Sequence, residues 1–182
     1  MAATQLDIAR EALAQIGTRS TITSLSDGSA EAAYVSLLFE PIRDFLLVDG
    51  DYDWSMGWAL LVPHAGTTIG TWKYNYTYPA EALRIRQLTP NAISDPLDPR
   101  PIEWNVSGVS SDTRVILTMV PAEYAIITKG VDTAYWDGMF RQSFVRMLAS
   151  ALAFALENRI EASKVKLDEA LGFAGIAKLR DM

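Results

Sequence analysis

WDGMFRQSFVRMLASALAFALEN, Trp136 to Asn158, decides how the rest of this chain must be arranged. Phe140, Phe144, Met147 and Leu148 recur at steps of three and four, with Arg141, Gln142 and Arg146 between them. That is the period of a helix with one apolar side. From Met147 to Leu156 only Ser150 is polar. Ala149, Ala151, Ala153 and Ala155 favour helix and are small enough to let neighbouring helices approach. Asp137 stands where an N-cap carboxylate takes an orphan N–H of the first turn. At ~1.5 Å per residue such a helix spans ~30 Å, the width of a small domain. The reading is a long central helix enclosed by protein. It carries no pair of groups able to do chemistry.

Working outward, 182 residues suit one domain with a single substantial core. There is no cysteine, which removes disulfides and thiolate metal sites, and His64 is the only histidine. A net charge of −6 argues against tight sequence-independent binding to DNA, which needs cations to displace phosphate counterions. The N-terminus, MAATQLDIAREALAQIG, carries Asp7, Arg10 and Glu11 and has no apolar signal core. Trp54 to Trp72 contains no Asp, Glu, Lys or Arg, yet Gly57, Pro63, Gly66 and Gly70 break the run. A buried, turn-rich segment is expected there and a membrane span is not. The expectation is a soluble protein made without export.

Toward the N-terminus, Thr4 and Asp7 form a capping-box-like start to a helix whose stripe is Leu6, Ala9, Leu13 and Ile16, with Gly17 as its stop. Ser29 opens a second helix that Pro41 kinks and Asp49-Gly50 closes. Its expected core face is Ala33, Leu37, Leu38, Ile42, Phe45 and Leu46. Trp54 to Leu61 reads as a short third helical piece stopped by Pro63. From Gly70 the period becomes two: Trp72, Tyr74, Tyr76 and Tyr78 alternate with polar residues. Leu83 to Leu88, Ile102 to Val106, Val115 to Met119 and Glu123 to Thr128 are further short strands, and Ser110 to Thr113 is a hairpin loop. Ser163 is placed to cap a last helix with Leu167, Leu171, Ala174 and Ala177 on one side. Gly172 and Gly175 each cost it up to ~1 kcal/mol of helix propensity. The fold class expected is α+β, mainly a helical bundle around a long central helix, with a small antiparallel sheet inserted between helices. Residues 1–182 make one domain, with helices in 4–62 and 136–182 and the sheet in 68–130.

The candidates for chemistry are few. Asp49, Asp51 and Asp53 match the first positions of a calcium loop, but Trp54 replaces the turn glycine and Leu60 the bidentate glutamate. A polar helix-end turn is the better reading. His64, between Pro63 and Ala65, has no nucleophile or orienting carboxylate beside it in sequence. The aromatic strand could stack bases, but Lys73, Arg84 and Arg86 are its only nearby cations, and packing on helices accounts for it better. No catalytic residue, cofactor site or metal site is expected.

Several stretches, in order, resemble the head-to-tail adaptor proteins of tailed phages, the tail tubular protein A-like or head–tail connector family. They are ALAQIG (Ala12 to Gly17), ITSLSD (Ile22 to Asp27), PIRDFLL (Pro41 to Leu47) and the following Trp54. WKYNYTYPAEALRIRQL (Trp72 to Leu88), YAIITKGVDTAYWDGMF (Tyr124 to Phe140) and the alanine-rich helix through Leu156 complete the set. The most specific is the aromatic strand running into Tyr-Pro and, shortly after, Leu-Arg-Ile. The resemblance implies a structural virion protein of the neck, assembled in the bacterial host cytoplasm and without catalysis. It implies self-association into a ring, usually dodecameric, beneath the portal protein, with a tail, nozzle or stopper protein on the other side. DNA would pass through the lumen without specific binding, and no membrane is involved.

In that family a C-terminal helical segment reaches the portal. The candidate docking residues here are Leu167, Leu171, Ala174, Ala177, Lys164, Lys178 and Arg180, in a helix expected to gain full order on docking. Two alternatives stand beside the adaptor. A stopper or head completion protein would need Asn91 to Arg100 as a mobile loop in the lumen. A divalent-cation-dependent phage hydrolase would need the Asp49, Asp51 and Asp53 cluster.

Overall fold

The computed structural model describes residues 4–18, 22–66, 69–90, 102–110, 113–157 and 160–181, the side chains of 109, 110, 157, 160–163 and 177–181 excepted. The chain divides into two compact units, Met1–Trp54 with Val131–Met182, and Ser55–Gly130.

The first unit is helical. Helix α1, Gln5–Gln15, begins with the capping box expected of Thr4 and Asp7, and Gly17 follows its end at φ +77°, a left-handed stop. Helix α2, Ala30–Gly50, is capped by Ser29, whose hydroxyl accepts the Ala32 N–H, and Pro41 lies inside it. It runs through Gly50, and Asp51 takes the left-handed position at φ 58°. Gly50 is needed elsewhere: the ring of Tyr52 occupies the place a Cβ on Gly50 would take. Helix α3, Gly138–Glu157, starts where Asp137 accepts the N–H groups of Met139 (2.7 Å) and Phe140 (3.0 Å). It packs on α1, α2 and helix α4, Ile160–Asp181.

An aromatic cluster anchors α3. Phe140 meets Trp136, Trp54 and Tyr52 edge-on at 4.9, 5.0 and 5.1 Å, and Phe39 of α2 lies 4.6 Å from Phe144. Edge-to-face geometry sets the positive ring edge against the negative ring face. On the other side, Ala170 and Ala174 of α4 are buried, and the Ser143 hydroxyl donates to the Ala170 carbonyl at 2.8 Å. Small residues at the crossing make that approach possible.

The second unit is built of strands. Strands β1 (Met56–Leu60), β6 (Tyr124–Lys129) and β3 (Ala82–Thr89) form one antiparallel sheet, in the order β1-β6-β3. Strands β2 (Tyr74–Thr77), β5 (Thr113–Thr118) and β4 (Trp104–Ser110) form another, in the order β2-β5-β4. Ala59, Leu61, Ile85, Leu88 and Ile127 from the first sheet and Tyr76 and Ile116 from the second share one buried core. Beyond β1 the chain turns a corner at Pro63. There the Val62 carbonyl accepts the Thr77 N–H (2.9 Å) and the His64 N–H donates to the Asn75 carbonyl (3.0 Å), joining the two sheets.

This corrects the expected fold class. A mainly helical bundle around a long central helix, with one small sheet, is overturned: about 48% of the described residues are helical and 24% strand, and the described strands make two sheets of three. Helices α2, α3 and α4 are 21, 20 and 22 residues long, so α3 does not dominate the helical unit. Nor is it enclosed throughout, since Phe154 near its end is 59% exposed. Trp54 to Leu61 is not a helical piece but a short 3-10 turn, Asp53–Ser55, running into β1. Its alternation is invisible in the sequence because both faces of β1 are apolar: Gly57 and Ala59 point inward, Met56, Trp58 and Leu60 outward. Ser163 lies within α4 rather than capping it.

Candidate interaction surfaces

The three carboxylates that suggested a cation site are spread over a helix end. Asp49 sits in the last turn of α2, Asp51 is its left-handed cap and Asp53 opens the 3-10 turn. Each is engaged by other groups, and among the described residues no three of His, Cys, Asp or Glu gather to hold a metal. His64 belongs to the corner between the two sheets, with its ring against Gly66. The aromatic strand is not a free stacking platform either. Tyr76 is buried with its hydroxyl accepting the Ala122 N–H at 3.0 Å, and Tyr78 carries the Arg114 guanidinium 4.1 Å from its ring centre. The loop that a stopper would need, Asn91 to Arg100, lies outside the described residues.

The docking residues expected on α4 separate. Ala174 is buried, because it and Ala170 form the seam against α3. Leu167 and Leu171 are 40% and 51% exposed and make an apolar ridge beside that seam, with exposed Lys164 at one end. The side chains of Ala177, Lys178 and Arg180 lie outside those described. Arg146 of α3 reaches α4, with its guanidinium 4.2 Å from the Phe173 ring centre and 3.3 Å from Glu169. Lys166 bonds Glu169 at 3.0 Å, and that bond, with Arg146 nearby, lowers the Glu169 pKa. The helix is therefore fastened to its own unit along one side and leaves Leu167 and Leu171, with Val165 and Ile176, exposed.

A second surface was placed inside the core by the sequence and is found outside it. Helix α2 buries Ala32, Val35, Phe39, Leu46 and Leu47. Of the expected core face, Leu37 is 67% and Phe45 56% exposed, and Ala33 is exposed as well. Tyr34 and Pro41 continue the same outward stripe. So α2 is apolar on two sides. A two-sided apolar helix is ordinarily covered on both, and none of the described residues covers the outer side of α2. Period alone could not choose between stripes of equal regularity. The third bare surface is the outward face of β1, which the charge-free run from Trp54 to Trp72 marks in the sequence.

The chain matches no protein-family profile, and no curated protein matches it in sequence. Among the described residues no helix is long and apolar enough to cross a membrane.

Proposed function

We propose that this chain is a structural assembly protein, the head-to-tail adaptor of a tailed phage, acting without catalysis or cofactor in the neck of the virion. Copies would form a ring, with twelve the usual number in the resembled family, beneath the portal protein. The ring would offer its other side to a tail, nozzle or stopper protein. The family-like stretches from Ala12 to Leu156 support this reading. The observation that carries it is the outer stripe of α2, Tyr34, Leu37, Pro41 and Phe45, an apolar helix face that a neighbouring copy can cover. A ring needs side-to-side contacts between copies, which the α2 stripe would supply, and the exposed Leu167–Leu171 ridge of α4 remains for the portal. The acidic balance, −6 per copy, suits a conduit through which DNA slides without adhering.

The test is assembly on a portal. Mixed with portal rings of the same phage, the wild-type chain should form rings visible by electron microscopy. Leu37→Glu with Phe45→Glu should keep the melting temperature of the free chain and lose the ring. Leu167→Glu with Leu171→Glu separates portal attachment from ring closure. Rings that form unchanged from the α2 variant would remove the support for this reading.

A further inference from the structure

Strand β1 is an edge without the protections that edges carry. Among the described residues it pairs with β6 alone, through five consecutive pairs with no register shift, whereas the register shifts twice in the β3–β6 ladder and once in the β4–β5 ladder. No proline lies within Met56–Leu60, and no charged residue between Trp54 and Trp72. Natural sheets blunt an open edge with charge, proline or a bulge, because unpaired main-chain groups recruit another strand. Here Met56, Trp58 and Leu60 are 40%, 44% and 60% exposed on one face.

Two contacts fix which main-chain groups point outward. The Leu61 N–H donates to the Glu123 carbonyl beside β6, and the Val62 carbonyl accepts the Thr77 N–H on the opposite side. Main-chain groups alternate sides along a strand. Gly57 and Ala59 therefore face β6, while Met56, Trp58 and Leu60 turn their N–H and C=O groups to the open edge.

We infer that a second copy of this chain pairs at this edge, β1 antiparallel to β1, about a two-fold axis at Trp58. Trp58 then stands opposite its own twin and Met56 opposite Leu60 of the second copy, so every outward N–H and C=O of the strand meets a complement. Neighbouring registers do not achieve this. Centring on Ala59 would call on Val62, whose carbonyl is already committed to Thr77; centring on Gly57 would set Leu60 opposite Trp54, which lies outside the strand. The side chains that meet, tryptophan on tryptophan and methionine on leucine, are the exposed ones. Copies of net charge −6 repel one another, and an uncharged strand adds nothing to that repulsion at the contact. A two-fold contact closes at two copies. This pairing is thus a state of the free protein, distinct from the contacts of a ring, and does not depend on the adaptor reading.

The absence of cysteine from the chain makes the register directly testable. In full-length Trp58→Cys the two thiols would face each other with Cα atoms about 5.5 Å apart, within disulfide reach. In Leu60→Cys the twin thiols would lie roughly 13 Å apart along the strands, beyond it. Mild oxidation should give a covalent dimer of the first and not of the second. By sedimentation equilibrium the wild type should dimerise. Met56→Lys with Leu60→Lys, which sets lysines opposite lysines, should raise the dissociation constant roughly tenfold or more at an unchanged melting temperature. A wild type that stays monomeric up to its solubility limit overturns the proposal. So does a dimer that the double lysine variant leaves intact, or equal cross-linking at both positions. Ring formation on portal is a separate readout, so the failure of either idea is recognisable by itself.

Discussion

Ser143 on α3 donates its hydroxyl proton to the main-chain carbonyl of Ala170 on α4 over 2.8 Å, and both residues are fully buried. This bond ties the last helix to the body of the helical unit, where the sequence suggested a helix only weakly ordered until it docks. Ser143→Ala should cost ~1 kcal/mol, the net worth of one neutral hydrogen bond. Ala170→Leu should cost ~1–3 kcal/mol, because the seam has no room for three more carbons. A chain ending at Glu157 should lose cooperative unfolding, since the α4 side of α3 would be stripped. Urea titrations of the three decide it. A truncated chain that melts like the full one would mean that α4 is a detachable arm after all.

Two groups of glycines should respond oppositely to alanine. The ring of Tyr52 fills the place of a Cβ at Gly50, and Tyr52 is itself buried against Trp54 (5.3 Å) and Phe140 (5.1 Å). Gly50→Ala must displace that ring and should destabilise by ~1–3 kcal/mol. Gly172 and Gly175 of α4 have nothing within 4 Å of such a Cβ, so alanine there should stabilise by ~0.5–1 kcal/mol each through helix propensity. Thermal melts of the single variants test both signs.

Asp27 organises the entry to α2. Its carboxylate accepts the Ser29 hydroxyl (2.5 Å) and N–H (3.0 Å) and the Thr23 N–H (2.9 Å), which lowers its pKa from 3.8 to about 2, the Ser29 hydroxyl contributing most. A depressed carboxylate stabilises the fold in full above its unfolded value, and the contribution is lost as pH falls through the folded one. The stability gap between the wild type and Asp27→Asn should therefore be constant near neutrality. It should narrow below pH 3.8 and close as pH falls through about 2. Urea midpoints across that range measure it; a gap of constant size from neutrality down to pH 2 would place the effect outside the carboxylate charge.

Much of the helical unit could be read in advance, because its signals are local. Thr4 with Asp7, Ser29 and Asp137 each cap the helix they were expected to cap. The apolar period of α3 likewise places Phe140, Phe144, Leu148 and Leu152 in the core. What failed was the choice between equivalent faces. On β1 both sides are apolar, so no alternation marks the strand, and on α2 two stripes satisfy the same period. The outward stripe of α2 and the outward face of β1 were consequently not separable from core by period alone. On α4 the small residues Ala170 and Ala174 form the seam and the larger Leu167 and Leu171 lie beside it, the reverse of what side-chain size alone suggests. Close helix approach rewards the smaller side chain.

The same substitution made at two leucines distinguishes core from surface most sharply. Leu152 and Leu37 were both expected in the core, and the structure leaves Leu152 with no exposure and Leu37 with 67%. Leu152→Asp puts a carboxylate where the side chain is closed off from water. It should cost more than ~4 kcal/mol, enough to leave the chain unfolded or insoluble. Leu37→Asp puts the same group into solvent near the middle of α2 and should stay within ~0.5 kcal/mol of the wild type. Its consequence should appear instead in assembly, since it places a charge in the centre of the stripe that a neighbouring copy would cover. Far-ultraviolet melts of the two variants, followed by portal mixing of whichever folds, give both readings. A Leu37→Asp chain that fails to fold would show that α2 turns this face into its own core.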